Sequence, residues 1–433
     1  MNGASGGYPA RLQAWWMVAI FCLAGFVSYV DRMILSVLVA PLQRDLGIGD
    51  AQLSLLQGAA FAIVYVFAGL PLGMMADRKT RRTLIIAGSI IWTTGTLLCG
   101  LAPGFWFLFA ARILVGIGEA ALAPAAASII SDSFPPHQRG TALGIFMMGM
   151  VVGGPGAVGV GGFLLASAQH GDLAHWSLFA GLADWRIVLV MVGAAGLLIP
   201  LLVLTVREPP RRERESEASL AKVVAHVSAQ RLLLFSLLIA VALLSVGDYG
   251  LYSWVPSTLS RKFGWSPDQM GGYFSIITTV TGIAGAVLGG ILSDAAARRH
   301  GEAARFSVAA VAAVVGAVAA LMVAGPYPWV VLLGLGLWTL ASSIGAIGGI
   351  AALQHVMPNE MRGIAMSFVA FCNTLLGLGV GPTVVASVTE FGFGRPDAVG
   401  LAIALVVAPA ALCSLSLFLV SRRALAARPA LDH

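Results

Sequence analysis

Asp31 and Arg32 stand side by side inside an apolar run from Trp15 to Leu38, and the fourth such run holds Arg112 and Glu119. A charge at bilayer depth costs at least about 2.5 kcal/mol and is normally kept where it faces a protein interior or a water-filled path. These four residues therefore mark the candidate site. Arg112 and Glu119 are seven positions apart, on one helix face but about 10.5 Å apart along its axis, so neither can satisfy the other. With the first helix running outward and the fourth inward, Asp31 lies about 15 Å and Arg112 about 12 Å below the outer end, close enough in depth to meet. Glu119 falls nearer the midplane, and Arg32 is turned about 100° away from Asp31. Two readings stay open. All four charges form one neutral network stapling helices one and four, or the roles divide. In the second case Arg32 offers its forked donors to an anionic head group, while Asp31 or Glu119 takes and releases a proton.

The elements that carry these charges are membrane helices. Of the 433 residues 58% are hydrophobic and only 11% charged, with a mean hydropathy of +0.89, far outside soluble globular usage. The fold class is all-α integral membrane, with twelve apolar runs at 15–40, 53–76, 83–102, 105–131, 140–167, 187–206, 232–260, 270–293, 306–324, 328–354, 363–389 and 398–421. The net charge of +6 reports topology. Of the 26 basic residues, 19 fall at the termini or in loops after even-numbered helices, five (Arg44, Arg186, Arg261, Lys262, Arg395) fall on the opposite side and two are intramembrane. That bias places both termini in the cytoplasm and leaves no case for a nucleic-acid partner. The start reads as a first span rather than a cleavable signal, because the run is too long and is interrupted by Asp31 and Arg32. Cys22, Cys99, Cys372 and Cys413 all sit in apolar spans without metal-type spacing, so neither a disulfide framework nor a metal is expected. Arginine outnumbers lysine 23 to 3, a composition of high-GC bacterial genes that points to a bacterial inner membrane.

The chain reads as a duplication. Asp77 and Asp294 lie 217 positions apart at the ends of the second and eighth spans, and Asp31 and Asp248 share that offset; Arg139 and Arg362, before the fifth and eleventh spans, are offset by 223. The expected domains are a six-helix bundle over 1–206, a charged cytoplasmic linker over 207–231 and a second bundle over 232–433. Parallel six-helix repeats place a substrate site between the halves near mid-membrane.

Gly73–Met74–Met75–Ala76–Asp77–Arg78–Lys79–Thr80–Arg81–Arg82 resembles the loop motif between helices two and three of the major facilitator superfamily, with Thr80 where Gly is usual. The resemblance covers essentially the whole chain and implies two six-helix bundles related by a pseudo-two-fold axis. It also implies a cytoplasmic gate of Asp77 and Arg81 with Arg362, and of Asp294 with Arg139. Arg112 through Ala120 is similar to the family's fourth-helix motif, in which an intramembrane Arg takes part in proton coupling. Gly149 through Gly156, with Pro155, resembles the glycine–proline motif of its exporters. Tyr29–Val30–Asp31–Arg32, taken with Arg112 and Gly116 to Ala120, looks most like the Spinster group, departing from it at Ser28, where Asn is expected. Animal members of that group are associated with sphingosine-1-phosphate and lysolipids. Such a substrate needs an apolar chamber, for which Phe61, Tyr65, Phe146, Met147, Met150, Tyr249, Trp254 and Trp338 are available, with Asp248 as the symmetric counterpart of Asp31.

The resulting expectation is a monomeric secondary transporter moving an amphipathic anionic molecule by alternating access, with no cofactor beyond a proton gradient. The alternative is a proton-coupled symporter or exporter of small organic anions such as carboxylates and sugar acids, since the organic-anion symporters share a comparable Asp–Arg in helix one. A nucleotide-driven pump lacks its phosphate loop. An enzyme lacks its site: His137, His226, His300 and His355 fall at loops or helix ends, with no nucleophile and base arranged around them.

Overall fold

The computed structural model describes residues 8–173, 176, 179–211 and 226–427, apart from the side chains of Asp77 and Asn359. Most of the expected linker, residues 212–225, and the side chain of the expected gate residue Asp77 lie outside the described residues.

Among the described residues twelve helical segments are long and apolar enough to cross a membrane: α1 Arg11–Ser36, α2 Asp50–Ala76, α3 Arg81–Gly100, α4 Phe105–Ser133, α5 Pro136–Gln169, α6 Asp184–Val203, α7 Arg231–Phe263, α8 Pro267–His300, α9 Glu302–Met322, α10 Pro328–Val356, α11 Arg362–Phe393 and α12 Pro396–Ala426. Each expected apolar run falls on one of them. The structure lengthens several, α8 from 270–293 to Pro267–His300 for example, because hydropathy registers only the lipid-matched stretch while backbone hydrogen bonding carries the helix on into polar residues.

The chain divides into two compact units, one of residues 1–214 with 266–272, the other of 215–265 with 273–433. In the first unit α1 packs along α5, and α3 packs on α4 and α6. Gly149 is what lets α1 and α5 touch: a Cβ there would sit 2.0 Å from the Cys22 carbonyl oxygen. In the second unit α7 lies against α12 and α10, and α9 against α10 and α12. Gly247 of α7 makes room for the Trp338 indole, which a Cβ would approach to 2.0 Å.

Two of the helices that carry the candidate charges are broken beside them. The α-helical part of α1 ends at Met33 and continues as a 3₁₀ turn, Ile34–Ser36. The fourth run, expected as one helix, is two: Phe105–Glu119 and Leu122–Ser133. The adjoining α2 passes through a π-helical turn at Leu55–Ala59. Such departures free backbone carbonyls from the regular ladder, and inside a membrane those groups must find other partners.

Candidate functional site: an intramembrane charge network

Asp31, Arg32, Arg112 and Glu119 are buried together in the first unit, each less than 5% exposed. Arg32 Nη2 donates to Glu119 Oε2 at 2.8 Å, and the Ser28 hydroxyl donates to the same oxygen at 2.8 Å. Helical spacing explains this pairing, since Ser28 and Arg32 are one turn apart on a common face of α1. Arg112 Nη1 lies 3.8 Å from Asp31 Oδ1, so these two residues of α4 and α1 meet at a common depth. The Thr96 hydroxyl of α3 donates to Asp31 Oδ2.

Arg112 spends its donors chiefly on backbone. Its Nη1 and Nη2 reach the carbonyls of Asp31 (3.2 Å) and Arg32 (3.1 Å) at the break in α1, and its Nε reaches the Leu56 carbonyl (3.2 Å) in the π turn of α2. One planar fork therefore satisfies carbonyls on two distorted helices, a task suited to a guanidinium. Arg32 is placed differently. Its guanidinium carbon stands 4.5 Å from the Tyr29 ring centroid, 4.6 Å from Phe61 and 4.8 Å from Tyr65. A cation in an aromatic box is stabilised by the ring faces, so Arg32 draws part of its stabilisation from Tyr29, Phe61 and Tyr65 and not from Glu119 alone.

In the second unit Asp248 accepts from Trp338 Nε1 and from the Ser342 hydroxyl, both at 2.8 Å. Of the residues expected to line an apolar chamber, Tyr65, Met147 and Tyr249 are partly or well exposed. Phe61, Phe146, Trp254 and Trp338 are fully enclosed instead. Phe61 lies beneath Arg32, Trp254 donates to the Pro382 carbonyl at 2.9 Å, and Trp338 orients Asp248. Large rings fill the gaps that glycine-rich helices leave, and that demand outweighs exposure to a cavity.

Arg81, expected at a gate, is a 1%-exposed brace inside the first unit. It binds Asp132 and Ser128 of α4, Glu208 and the Pro209 carbonyl. Glu208 also accepts the backbone N–H groups of Arg81 (3.0 Å) and Arg82 (3.2 Å), capping the start of α3. Asp294 is held by Arg305 of α9 at 2.7 Å, Arg139 Nε donates to the Phe134 carbonyl, and Arg362 Nε donates to the Gln354 carbonyl. Thr96 carries no mark in the sequence, while Ser28 and Tyr29, named there only as motif positions, prove to hold Glu119 and to wall the Arg32 box.

Residues 21–382 match the family model described as Major Facilitator Superfamily. The chain belongs to the major facilitator superfamily. Within it, the chain is similar to an MFS-type efflux pump of Mycolicibacterium smegmatis (28% identity, 87% of this chain and 85% of that one). It is also similar to Protein spinster of Drosophila melanogaster (27%, 67% of this chain), and to a probable galactarate/D-glucarate transporter of Bacillus subtilis (27%, 81% and 80%). The match spans about half, 48%, of the length of the fly protein. A crystal structure of a bacterial homolog of the human lysosomal transporter Spinster superposes with a TM-score of 0.80 at 25% identity, over 98% of this chain and 100% of that one. The protein is thus a facilitator-superfamily transporter in a multi-pass membrane fold, with Spinster proteins among those it is similar to.

Proposed function

We propose that this transporter moves an amphipathic anionic molecule, lysolipid or sphingolipid-like, by alternating access coupled to protons. The observation that carries the reading is Arg32: a buried guanidinium held by one carboxylate and walled by three aromatic rings. An incoming phosphate or carboxylate head group takes the place of Glu119 on the Arg32 fork, the released Glu119 is neutralised by a proton, and the rings of Tyr29 and Tyr65 offer apolar surface to the adjoining chain. Arg112 and Asp31 hold the broken helices around the exchange. The likeness to Spinster proteins supports the lipid-like substrate. Likeness to the galactarate/D-glucarate transporter supports the second reading, a small organic anion on the same arginine. The positive-charge bias of the loops supports an inner-membrane location with both termini cytoplasmic.

The test is flux. Protein in liposomes with an entrapped pH dye is given lysophosphatidylglycerol or glucarate under an imposed proton gradient. Proton movement with the lysolipid, abolished in Arg32→Ala, is expected. Movement with glucarate alone overturns the lipid assignment in favour of the small-anion reading.

A further inference from the structure

Gln57 and Ser36 are buried polar residues of the first unit that the exchange at Arg32 does not use. Gln57 is 3% and Ser36 2% exposed, and among the described residues neither amide atom of Gln57 nor the Ser36 hydroxyl has a hydrogen-bond partner. Gln57 lies in the π turn of α2 and Ser36 in the 3₁₀ turn that ends α1, and these two turns pack on one another. Both adjoin the charges. Arg112 holds the Leu56 carbonyl, next to Gln57, with the same guanidinium that faces Asp31. Two oxygens of the network, Asp31 Oδ1 and Glu119 Oε1, likewise receive no hydrogen bond among the described residues.

A buried amide or hydroxyl without a partner has lost its hydration for nothing, so such groups are ordinarily met by protein or by internal water. An internal water needs several polar neighbours, and a carboxamide and a hydroxyl each both donate and accept. Depth gives the site a direction. Ser36 is five residues beyond Asp31, about 8 Å further along α1, and Gln57 is seven residues into α2, about 10 Å from its start. Both therefore lie between the charges and the membrane face where α1 ends and α2 begins, which the proposed topology places outside. Water held there accepts a proton from hydronium on the outer side and passes another to a carboxylate on the inner side. Each water gains one proton and loses one, and the Gln57 amide is unchanged.

We infer that Gln57 and Ser36 bind internal water that conducts protons between the outer face and the carboxylates of Asp31 and Glu119. This rests on the proton-coupled reading and assigns the path by which the proton arrives.

The experiment has two readouts. Right-side-out membrane vesicles are mixed with lysophosphatidylglycerol in a stopped-flow cell, with a membrane-impermeant pH dye in the outer medium, and a density map of the protein in nanodiscs is taken to a resolution that shows ordered water. Gln57→Leu, which keeps the bulk and removes the amide, is expected to slow the outside alkalinisation at least tenfold while changing its extent and the lysophosphatidylglycerol affinity less than twofold. Gln57→Asn, which restores an amide and leaves room for water, returns to within threefold of the wild-type rate. The wild-type map shows water bonded to the Gln57 amide, and the Gln57→Leu map loses it. An unchanged rate in Gln57→Leu overturns the inference. So does a loss of affinity and extent along with rate, which makes Gln57 a packing residue, and so does a wild-type map with no water at Gln57. If the wild type takes up no proton, the coupled reading fails and conduction with it, and the map still decides the water site.

Discussion

Arg32 and Arg112 are eighty positions apart in sequence and one shell apart in space, yet their surroundings assign them different work. Arg112 is committed to three backbone carbonyls on α1 and α2. Lysine, a point charge on a flexible stem, cannot reach all three, and a buried carbonyl left without a donor costs about 1–3 kcal/mol. Arg112→Lys is therefore expected to lower stability by at least about 2 kcal/mol in a denaturant melt. Asp31→Asn, which gives up a single 3.8 Å ion contact and keeps an acceptor for Thr96, lowers it less. Equal stability of Arg112→Lys and wild type contradicts the carbonyl-bridging role. The four charges were legible in the sequence, because an ionised residue inside an apolar run has few reasons to be there. Ser28 and Tyr29 were within reach, since spacings of four and three from Arg32 put them on its side of α1. Thr96 was not: which hydroxyl of α3 meets Asp31 depends on how two helices rotate against one another, and no local pattern encodes that.

The glycine-rich stretch of α5 gives matched substitutions at the scale of elements. Gly149 abuts the Cys22 carbonyl, whereas a Cβ on Gly154, in the same motif, meets nothing within 4 Å. Gly149→Ala is expected to separate α1 from α5 and lower the melting midpoint by several degrees, while Gly154→Ala leaves it unchanged. Similar effects from both would mean that the motif acts through helix flexibility rather than close packing. The cap on α3 is a second case. Glu208 reaches two free N–H groups and Arg81 at once, so Glu208→Ala is expected to cost about 1–2 kcal/mol in the same assay. A neutral result removes the cap as a stabilising contact. Helix positions were readable from hydropathy to within a few residues. The break after Met33 was not, because no glycine or proline stands at it; the break after Glu119 was within reach, since Pro124 has no N–H to give the Ala120 carbonyl four residues earlier, and Gly58 lies within the π turn at Leu55–Ala59. Trp254 and Trp338 were misplaced for a related reason: an aromatic residue in an apolar run carries no mark that separates a cavity wall from a space-filling core.

For the whole molecule, charge bias and internal repetition make separate claims. The topology proposed from the loop asymmetry has the termini and the α4–α5 connection on the cytoplasmic side and the α3–α4 connection outside. In a variant with its native cysteines replaced, Pro103→Cys is expected to react with a membrane-impermeant maleimide in intact cells. His137→Cys reacts only after permeabilisation. The reverse pattern would invert the topology. The repeat is read from the paired acids, and it does not extend to their surroundings. Asp31 and Asp248 correspond in position, but one belongs to a cancelled set of four charges and the other has neutral partners.

The exchange proposed at Arg32 is tested most directly by proton uptake on binding. Lysophosphatidylglycerol, whose phosphodiester does not itself titrate near neutral pH, is added to purified protein in weakly buffered solution, and the pH is followed for wild type and Glu119→Gln. The amide oxygen of that variant still accepts from Arg32 and Ser28, so the site stays formed. Alkalinisation that saturates with ligand in the wild type and vanishes in the variant, with binding retained, is the expected result. Uptake of equal size in the variant would contradict proton-for-anion exchange at Glu119.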